Sequence, residues 1–318
     1  MQRILLGLFV AALIRYYVTA RHYKTRRRRL IPTQGERVLL VGCSSGIGRE
    51  LALQYASRGA SLILIARRKR LLESLQKECE NAGAIRVASL AGDITDSKFI
   101  IPQEEKERGL DTVIYCAGAI SVRHFMDACG YQIQKLDDGT IQVVEEGREK
   151  TMDGNVDEAM ERITQVNFFG SVRLVRQVIP CLLTSSKAPN LILVSSLAGK
   201  IGAPTRALYA ASKHALHGFF DSLRMELATY GMHIGIVCPG TVDTDLRKSA
   251  VDGHLGYGPT PGSVNGKLSP AAVAARIIEA SDYQEREVLV PRIGYLAVAL
   301  RMITPSLIDW AASKKYQQ

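Results

Sequence analysis

Acidic residues are missing from the first 32 positions of this 318-residue chain, a stretch that holds eight Lys and Arg. The full chain carries +10, so the body behind that tail is close to neutral. A near-neutral body has no net field to attract a polyanion, which excludes nucleic acid as the expected partner. Cysteine is sparse too: Cys43, Cys79, Cys116, Cys129, Cys181 and Cys238 are scattered, with no C-x-x-C and no His/Cys pair at metal spacing. That excludes a disulfide scaffold and a structural zinc site, so no metal is expected, and reduced thiols are expected in a cytosol-facing protein. No N-x-S/T sequon occurs, and no repeat or low-complexity linker follows residue 35. What remains is an ordinary globular composition, 47% hydrophobic and 23% charged, long enough for one large α/β domain.

Long apolar runs are equally scarce. The run at the start, Ile4–Ile14, has 11 residues, and extending it to Ala20 gives 17 interrupted by Arg15. Roughly 17 residues is the lower limit for a spanning helix, and an arginine can snorkel to the headgroups. A cleaved signal peptide is the rival, since Val18 and Ala20 fit a small-residue cleavage site. The mature chain would then begin RHYKTRRRR, an odd start for a secreted domain. Tyr16, Tyr17, Tyr23 and the Arg26–Arg29 block read instead as an interfacial collar on anionic lipid. The expectation is a membrane anchor over 1–20, a basic juxtamembrane linker over 21–34, and a body facing the cytosol at the endoplasmic reticulum or a lipid droplet. At the other end, Tyr295–Trp310 is apolar but contains Arg301 and Pro305. Segment 293–318 therefore has two readings: a helix that finishes the core or a homodimer interface, or a second membrane-dipping element.

From residue 35 short β-branched runs alternate with longer amphipathic stretches. Strands are expected at Arg37–Val41, Leu62–Ala66, Ile85–Leu90, Thr112–Cys116, Leu191–Ser195, Ile234–Cys238 and Glu287–Pro291. Helices are expected at Gly46–Ser57, Lys69–Ala82, Asp157–Thr184, Leu208–Thr229 and Pro270–Ser281. The strands are near-continuous apolar runs, as required when helices cover both sheet faces. One doubly wound parallel sheet over 35–292 follows. Two stretches look inserted. Residues 130–153 carry Asp138–Gly139 between alternating segments, a hairpin signal. Residues 241–269 hold five glycines and two prolines just past a strand end, where lids occur. Leu246, Val251, Leu255, Tyr257 and Val264 are its candidate apolar wall.

The strongest chemical signal is Val41-Gly42-Cys43-Ser44-Ser45-Gly46-Ile47-Gly48, which follows a strand and opens a helix. Glycines let the backbone approach a pyrophosphate, and the helix N-terminus favours its charge. The second strand ends in Ala66-Arg67-Arg68 where an acid for the ribose 2′-hydroxyl would stand in an NAD-selective site. Arg67 offers a guanidinium to a 2′-phosphate, which predicts NADP(H); a solvated helix start is the bland alternative. Tyr209 and Lys213 share a helix face at i, i+4, with Ser196 thirteen residues upstream of Tyr209 at a strand end. Tyr131 and Lys135 repeat the i, i+4 spacing without that company. His214 and His217 read as surface or interface residues, and Cys43 as a small packing residue.

With these motifs in order, the sequence resembles the short-chain dehydrogenase/reductase family, in its T-G-x-x-x-G-x-G subclass, over roughly 35–291. The resemblance implies a Rossmann-type sheet and a nicotinamide cofactor. It places Asp93 and Ile94 (GDIT) beside the adenine and Cys116-Ala117-Gly118 at an N-A-G strand end. It places Asn167, Ser196, Tyr209 and Lys213 in a catalytic tetrad, and Pro239, Gly240, Val242 and Thr244 on the nicotinamide side. Val41 and Cys116 depart from the usual Thr and Asn. The anchor, His214–Leu227 and the apolar tail are most similar to membrane-associated members such as hydroxysteroid dehydrogenases and the dehydrogenase/reductase member 7 group.

A phenol with an ordinary pKa near 10 is a poor proton donor at neutral pH, and a neighbouring ammonium favours its ionised form. Tyr209 is thus the expected general acid in carbonyl reduction and base in the reverse. Ser196 would hold the substrate oxygen, Lys213 would tune Tyr209 and bind the ribose, and Asn167 would hold a relay water. The expected substrate is a small hydrophobic carbonyl or alcohol such as a steroid, retinoid or keto-lipid. The alternative is a catalytically idle, cofactor-binding membrane scaffold on the same fold.

Overall fold

The computed structural model describes Arg15 and residues 26–145, 156–255 and 266–316. In chain order the elements are β1 (Arg37–Val41), α1 (Gly46–Ala56), β2 (Ser61–Ala66), α2 (Lys69–Asn81), β3 (Arg86–Ala91), α3 (Gln103–Glu107), β4 (Thr112–Tyr115) and α4 (Phe125–Ala128). There follow β5 (Tyr131–Lys135), β6 (Ile141–Glu145), α5 (Val156–Thr164), a π-helical turn (Gln165–Phe169), α6 (Gly170–Ser185), β7 (Asn190–Val194) and α7 (Ala207–Leu227). The chain continues through β8 (His233–Pro239), α8 (Pro270–Tyr283), β9 (Glu287–Val290), α9 (Ile293–Ile303) and α10 (Pro305–Tyr316).

Seven strands form one sheet in the order β3-β2-β1-β4-β7-β8-β9, and every pairing in it is parallel. Strand residues alternate between two cores. Val38, Leu40, Leu62 and Leu64 pack with α1, α2 and α8; Leu39, Val41, Ile63 and Ile65 pack on the opposite side, where α6 and α7 lie. This period of two, with both faces buried, is why the strands read as unbroken apolar runs. Truncating one such side chain, as in Leu64→Ala, costs about 2–5 kcal/mol. The order reverses between β1 and β4, and ligands of doubly wound sheets bind at that switch point.

The long helix expected from 157 to 184 is interrupted. Its backbone turns π-helical at Gln165–Phe169, and the Tyr115 hydroxyl donates to the Val166 carbonyl inside that turn at 2.5 Å. Such bulges re-aim a side chain, and here Asn167 is fully buried. Helix α5 through α6 is long and apolar enough to cross a bilayer by length and composition, but its apolar face packs on the sheet. The expected anchor, residues 1–20, lies outside the described residues apart from Arg15.

The basic linker is not a free collar. Arg27 is buried: its guanidinium donates to Glu36 at 2.8 Å and to Thr112 at 2.6 Å, and Asp282 lies 3.9 Å away. Arg28 reaches the same Asp282 at 3.3 Å. Burial opposes the charge on Arg27, but Glu36 outweighs it and raises the pKa. The folded body therefore starts before residue 35, because two buried carboxylates need a cation. The expected hairpin is present as antiparallel β5 and β6, with Asp138 and Gly139 between them; residues 146–153 lie outside the described residues.

Candidate active site

All predicted cofactor residues, together with Ser196, Tyr209 and Lys213, line one cavity of about 800 Å³ at the carboxyl ends of the strands. Asn167 sits behind its wall. The β1–α1 turn forms one end. Gly42 has φ +82°, and a Cβ there would lie 2.5 Å from the Ala117 nitrogen. A Cβ on Gly48 would collide with the Gly42 carbonyl. Both positions admit only hydrogen, which is how the turn closes on β4 and α1 closes on the turn. Helix α1 starts without a side-chain cap and without an acid in its first turn. Its opening N–H groups, with cavity-lining Gly46, Ile47 and Gly48, suit an anion such as a pyrophosphate. These residues fit a dinucleotide.

Two arginines stand beside the turn. Arg67, expected to read a 2′-phosphate, is largely exposed with its guanidinium 3.7 Å from Asp93. Arg68 donates to Ser44 at 2.8 Å and to Ser45 at 2.6 Å, so it is fixed over the turn. The Ala66-Arg67-Arg68 run held the signal for Arg68, but not the choice between two adjacent guanidiniums. Burial pushes the Cys43 and Cys116 thiols up to about 12, so neither is a thiolate at neutral pH.

At the other end of the cavity Lys213 lies beneath Tyr209, its ammonium 5.8 Å from the ring centroid. Burial pulls Lys213 down to about 8, and its Nζ donates to the Val194 carbonyl at 3.2 Å. The Ser196 hydroxyl accepts from Ala198 N at 3.2 Å and donates to the Pro239 carbonyl at 3.4 Å. That ties the end of β7 to the end of β8. Asn167 accepts from Ala119 N at 2.8 Å and donates to Ala119 O and to Ser212 Oγ. Both its N–H groups are committed, so it braces the β4 end against α7.

His217 departs from its surface reading. It is buried one turn beyond Lys213, with Nε2 3.1 Å from Ser195 Oγ and 3.6 Å from Cys238 Sγ. Its Nδ1 is 3.7 Å from Glu287, which pairs with Lys200 at 2.5 Å. Burial, then the Lys200 charge, pull it down to about 4; a neutral His217 thus clamps the turn that carries Ser196. The helical spacing from Lys213 was visible in sequence, but partners at three different strands were not. His214 is exposed, as its surface reading expects, with Nδ1 2.8 Å from the Ala210 carbonyl.

The proposed lid wall is corrected in part. Leu246 lines the cavity, but Val251 and Leu255 are buried in a separate cluster with Ile120, Val122 and Ile163. Val251 N donates to Ile120 O, and the Asp252 carboxylate accepts from the N–H groups of Val122 and Arg123. Residues 250–252 are thereby pinned to the β4 loop. Tyr257 and Val264 lie outside the described residues. Across the cavity, Leu197, Ile201, Ala203 and, from α9 and α10, Ala297, Ile308 and Ala312 make an apolar wall.

A Gly-lined turn at an uncapped helix start, facing a buried Tyr–Lys pair across one cavity, defines a nicotinamide-type oxidoreductase site. The sequence profile of the short chain dehydrogenase family matches residues 36–254, and the chain belongs to that family. It is 29% identical over 294 residues to a dehydrogenase/reductase SDR family protein 7-like from Anopheles gambiae, covering 89% of this chain and 84% of that one. It is 28% identical to dehydrogenase/reductase SDR family member 7B from Mus musculus, covering 85% and 78%. Among solved structures, a short chain dehydrogenase/reductase from Burkholderia phymatum in complex with NAD aligns with TM-score 0.66 at 20% identity, covering 87% of this chain and 96% of that one. A short-chain dehydrogenase from Sphingobium yanoikuyae in complex with NADPH aligns at 0.60 and 20%, covering 86% and 95%.

Proposed function

We propose that this protein interconverts a carbonyl and an alcohol on a small hydrophobic molecule with NADP(H). The body would be held at the endoplasmic reticulum or a lipid droplet by the N-terminal apolar run and face the cytosol. The observation that carries the reaction is the single cavity joining the phosphate-type turn to Tyr209, Lys213 and Ser196, with an apolar wall opposite. The nicotinamide supplies or accepts a hydride when bound. The Tyr209 hydroxyl gives its proton to the carbonyl oxygen in reduction and takes it back in oxidation. Ser196 turns its hydroxyl from the Pro239 carbonyl to the substrate oxygen as charge develops there. Lys213 favours the ionised phenol and holds the ribose hydroxyls, and Asn167 keeps α7 in register with β4. Arg67 and Arg68 offer two guanidiniums for a 2′-phosphate, and Ala66 leaves no acid to repel it.

The test is NADPH oxidation by detergent-solubilised protein across steroid, retinal and keto-lipid substrates. Turnover abolished by Tyr209→Phe supports the reading. Tight NADPH binding without turnover on any of them returns the protein to an idle scaffold.

A further inference from the structure

The apolar C-terminal stretch folds as two helices, since Thr304 breaks the helix and Pro305 starts α10. Each helix has two faces. On α10, Ile308 and Ala312, one turn apart, point into the cavity, while Leu307 and Trp310 lie on the adjacent outer face, 51% and 56% exposed. On α9, Ala297 faces the cavity and Val298 packs on the sheet core, while Ile293, Leu296 and Ile303 are exposed outside. Arg301, the charge that argues in the sequence against a spanning helix but not against a surface one, turns inward and is hydrogen-bonded to the Lys200 carbonyl. Once Arg301 is withdrawn, the outer face is apolar.

We infer that the outer face of the α9–α10 pair lies in a lipid bilayer surface, so that the roof of the substrate cavity is a membrane contact. The charge pattern favours lipid over a second copy of the chain. Helix α9 has no acid and α10 only Asp309, while Arg292 and Lys314 border the face. Lys314 Nζ sits 4.2 Å over the Trp310 ring. A tryptophan with a lysine at its rim is the composition of a bilayer interface, and basic flanks meet anionic headgroups. The free edge of β9 cannot accept a strand from a second copy where Tyr295 caps it: its hydroxyl accepts from Leu289 N at 3.2 Å and donates to Glu287 O at 3.1 Å. The contact also gives an apolar molecule a route from bilayer to cavity between two helices already in lipid; that consequence alone rests on the carbonyl–alcohol reading.

Trp310 is the only tryptophan of the chain, which makes the test direct. The full chain is reconstituted into phosphatidylcholine–phosphatidylserine vesicles, and Trp310 emission is quenched either by doxyl-labelled phosphatidylcholine or by aqueous iodide. Lipid contact requires strong quenching by the labelled lipid and several-fold weaker quenching by iodide than in the Ile303→Glu/Leu307→Glu variant. Both of those positions are exposed, so the variant keeps its fold. Quenching by iodide alone overturns the inference. Shielding from both quenchers, with cross-linked dimers that disappear in the variant, overturns it in favour of a second copy. The readout needs no turnover, so a failure of the proposed reaction leaves it unaffected. If turnover is present, the same variant raises KM several-fold for an apolar carbonyl presented in vesicles and leaves a water-soluble one unchanged.

Discussion

The two rims of the parallel sheet are built by opposite rules. At the rim where strands begin, charges are buried against opposite charges: Arg27 with Glu36, Arg58 with Asp282 at 2.9 Å, and Arg37 with Asp111 at 2.7 Å. At the rim where strands end, buried polar groups keep capacity to spare. Lys213 is buried with its ammonium on the Val194 carbonyl at 3.2 Å, helix α1 opens uncapped, and the Ser196 hydroxyl leans on a carbonyl at 3.4 Å. Ion pairs at one rim hold the fold; at the other, Lys213, Ser196 and the start of α1 face the cavity, where a ligand can reach them. Parallel strands impose the asymmetry, because all carboxyl ends, and the turns after them, lie on one side.

The contrast breaks hardest at Arg27. Arg27→Ala leaves the buried Glu36 without its 2.8 Å partner and with only the Arg58 cation, at 3.9 Å, and removing one partner of a buried pair costs about 3–5 kcal/mol. Denaturant melts should show that loss, while turnover per folded molecule stays near wild type. A truncation that removes Arg27 along with the tail carries the same penalty, so an anchor deletion should stop before residue 26. The opposite rim gives the opposite signature: Tyr209→Phe should cut turnover by about 10²-fold or more, with cofactor affinity and melting midpoint unchanged.

Acid acts on both rims next. His217 and His233 are held at about 4 and about 3, chiefly by burial, below their ordinary 6.5. Below pH 6.5 the unfolded chain takes up protons that the folded chain refuses, so stability falls from pH 6.5 towards 4, by about 3 kcal/mol for one such group. The carboxylate pairs act lower: Asp111, buried but bound by Arg37, sits below its usual 3.8, and its contribution is lost only beneath that pH. A pH series of melts on His217→Gln should show a flatter limb between 6.5 and 4. The smallest effect belongs to the cofactor end. Arg68→Ala should weaken NADPH about tenfold relative to NADH by isothermal titration. A larger change in that ratio for Arg67→Ala would return the choice to Arg67.

Much of the site was legible because it depends on local spacing. Gly42, Gly46 and Gly48 follow a strand, and Tyr209 and Lys213 share a helix face; both are facts of one element. The misreadings involve partners far along the chain. Arg27 looked like lipid collar because Asp282 is 255 residues away. His217 looked exposed because Ser195, Cys238 and Glu287 come from three other strand ends. Val251 and Leu255 looked like a cavity wall because nothing in a glycine-rich loop shows that Asp252 is tied to the β4 turn.

The sequence by itself determined the doubly wound sheet, the glycine turn and the Tyr–Lys pair, since period-two burial and i, i+4 spacing are set by backbone geometry alone. Tertiary structure decided which charges are buried, which arginine covers the turn, and that Arg301 turns inward and leaves the outer face of α9 apolar. Those outcomes depend on which distant groups come within hydrogen-bonding distance, and a buried charge goes wherever it finds a partner.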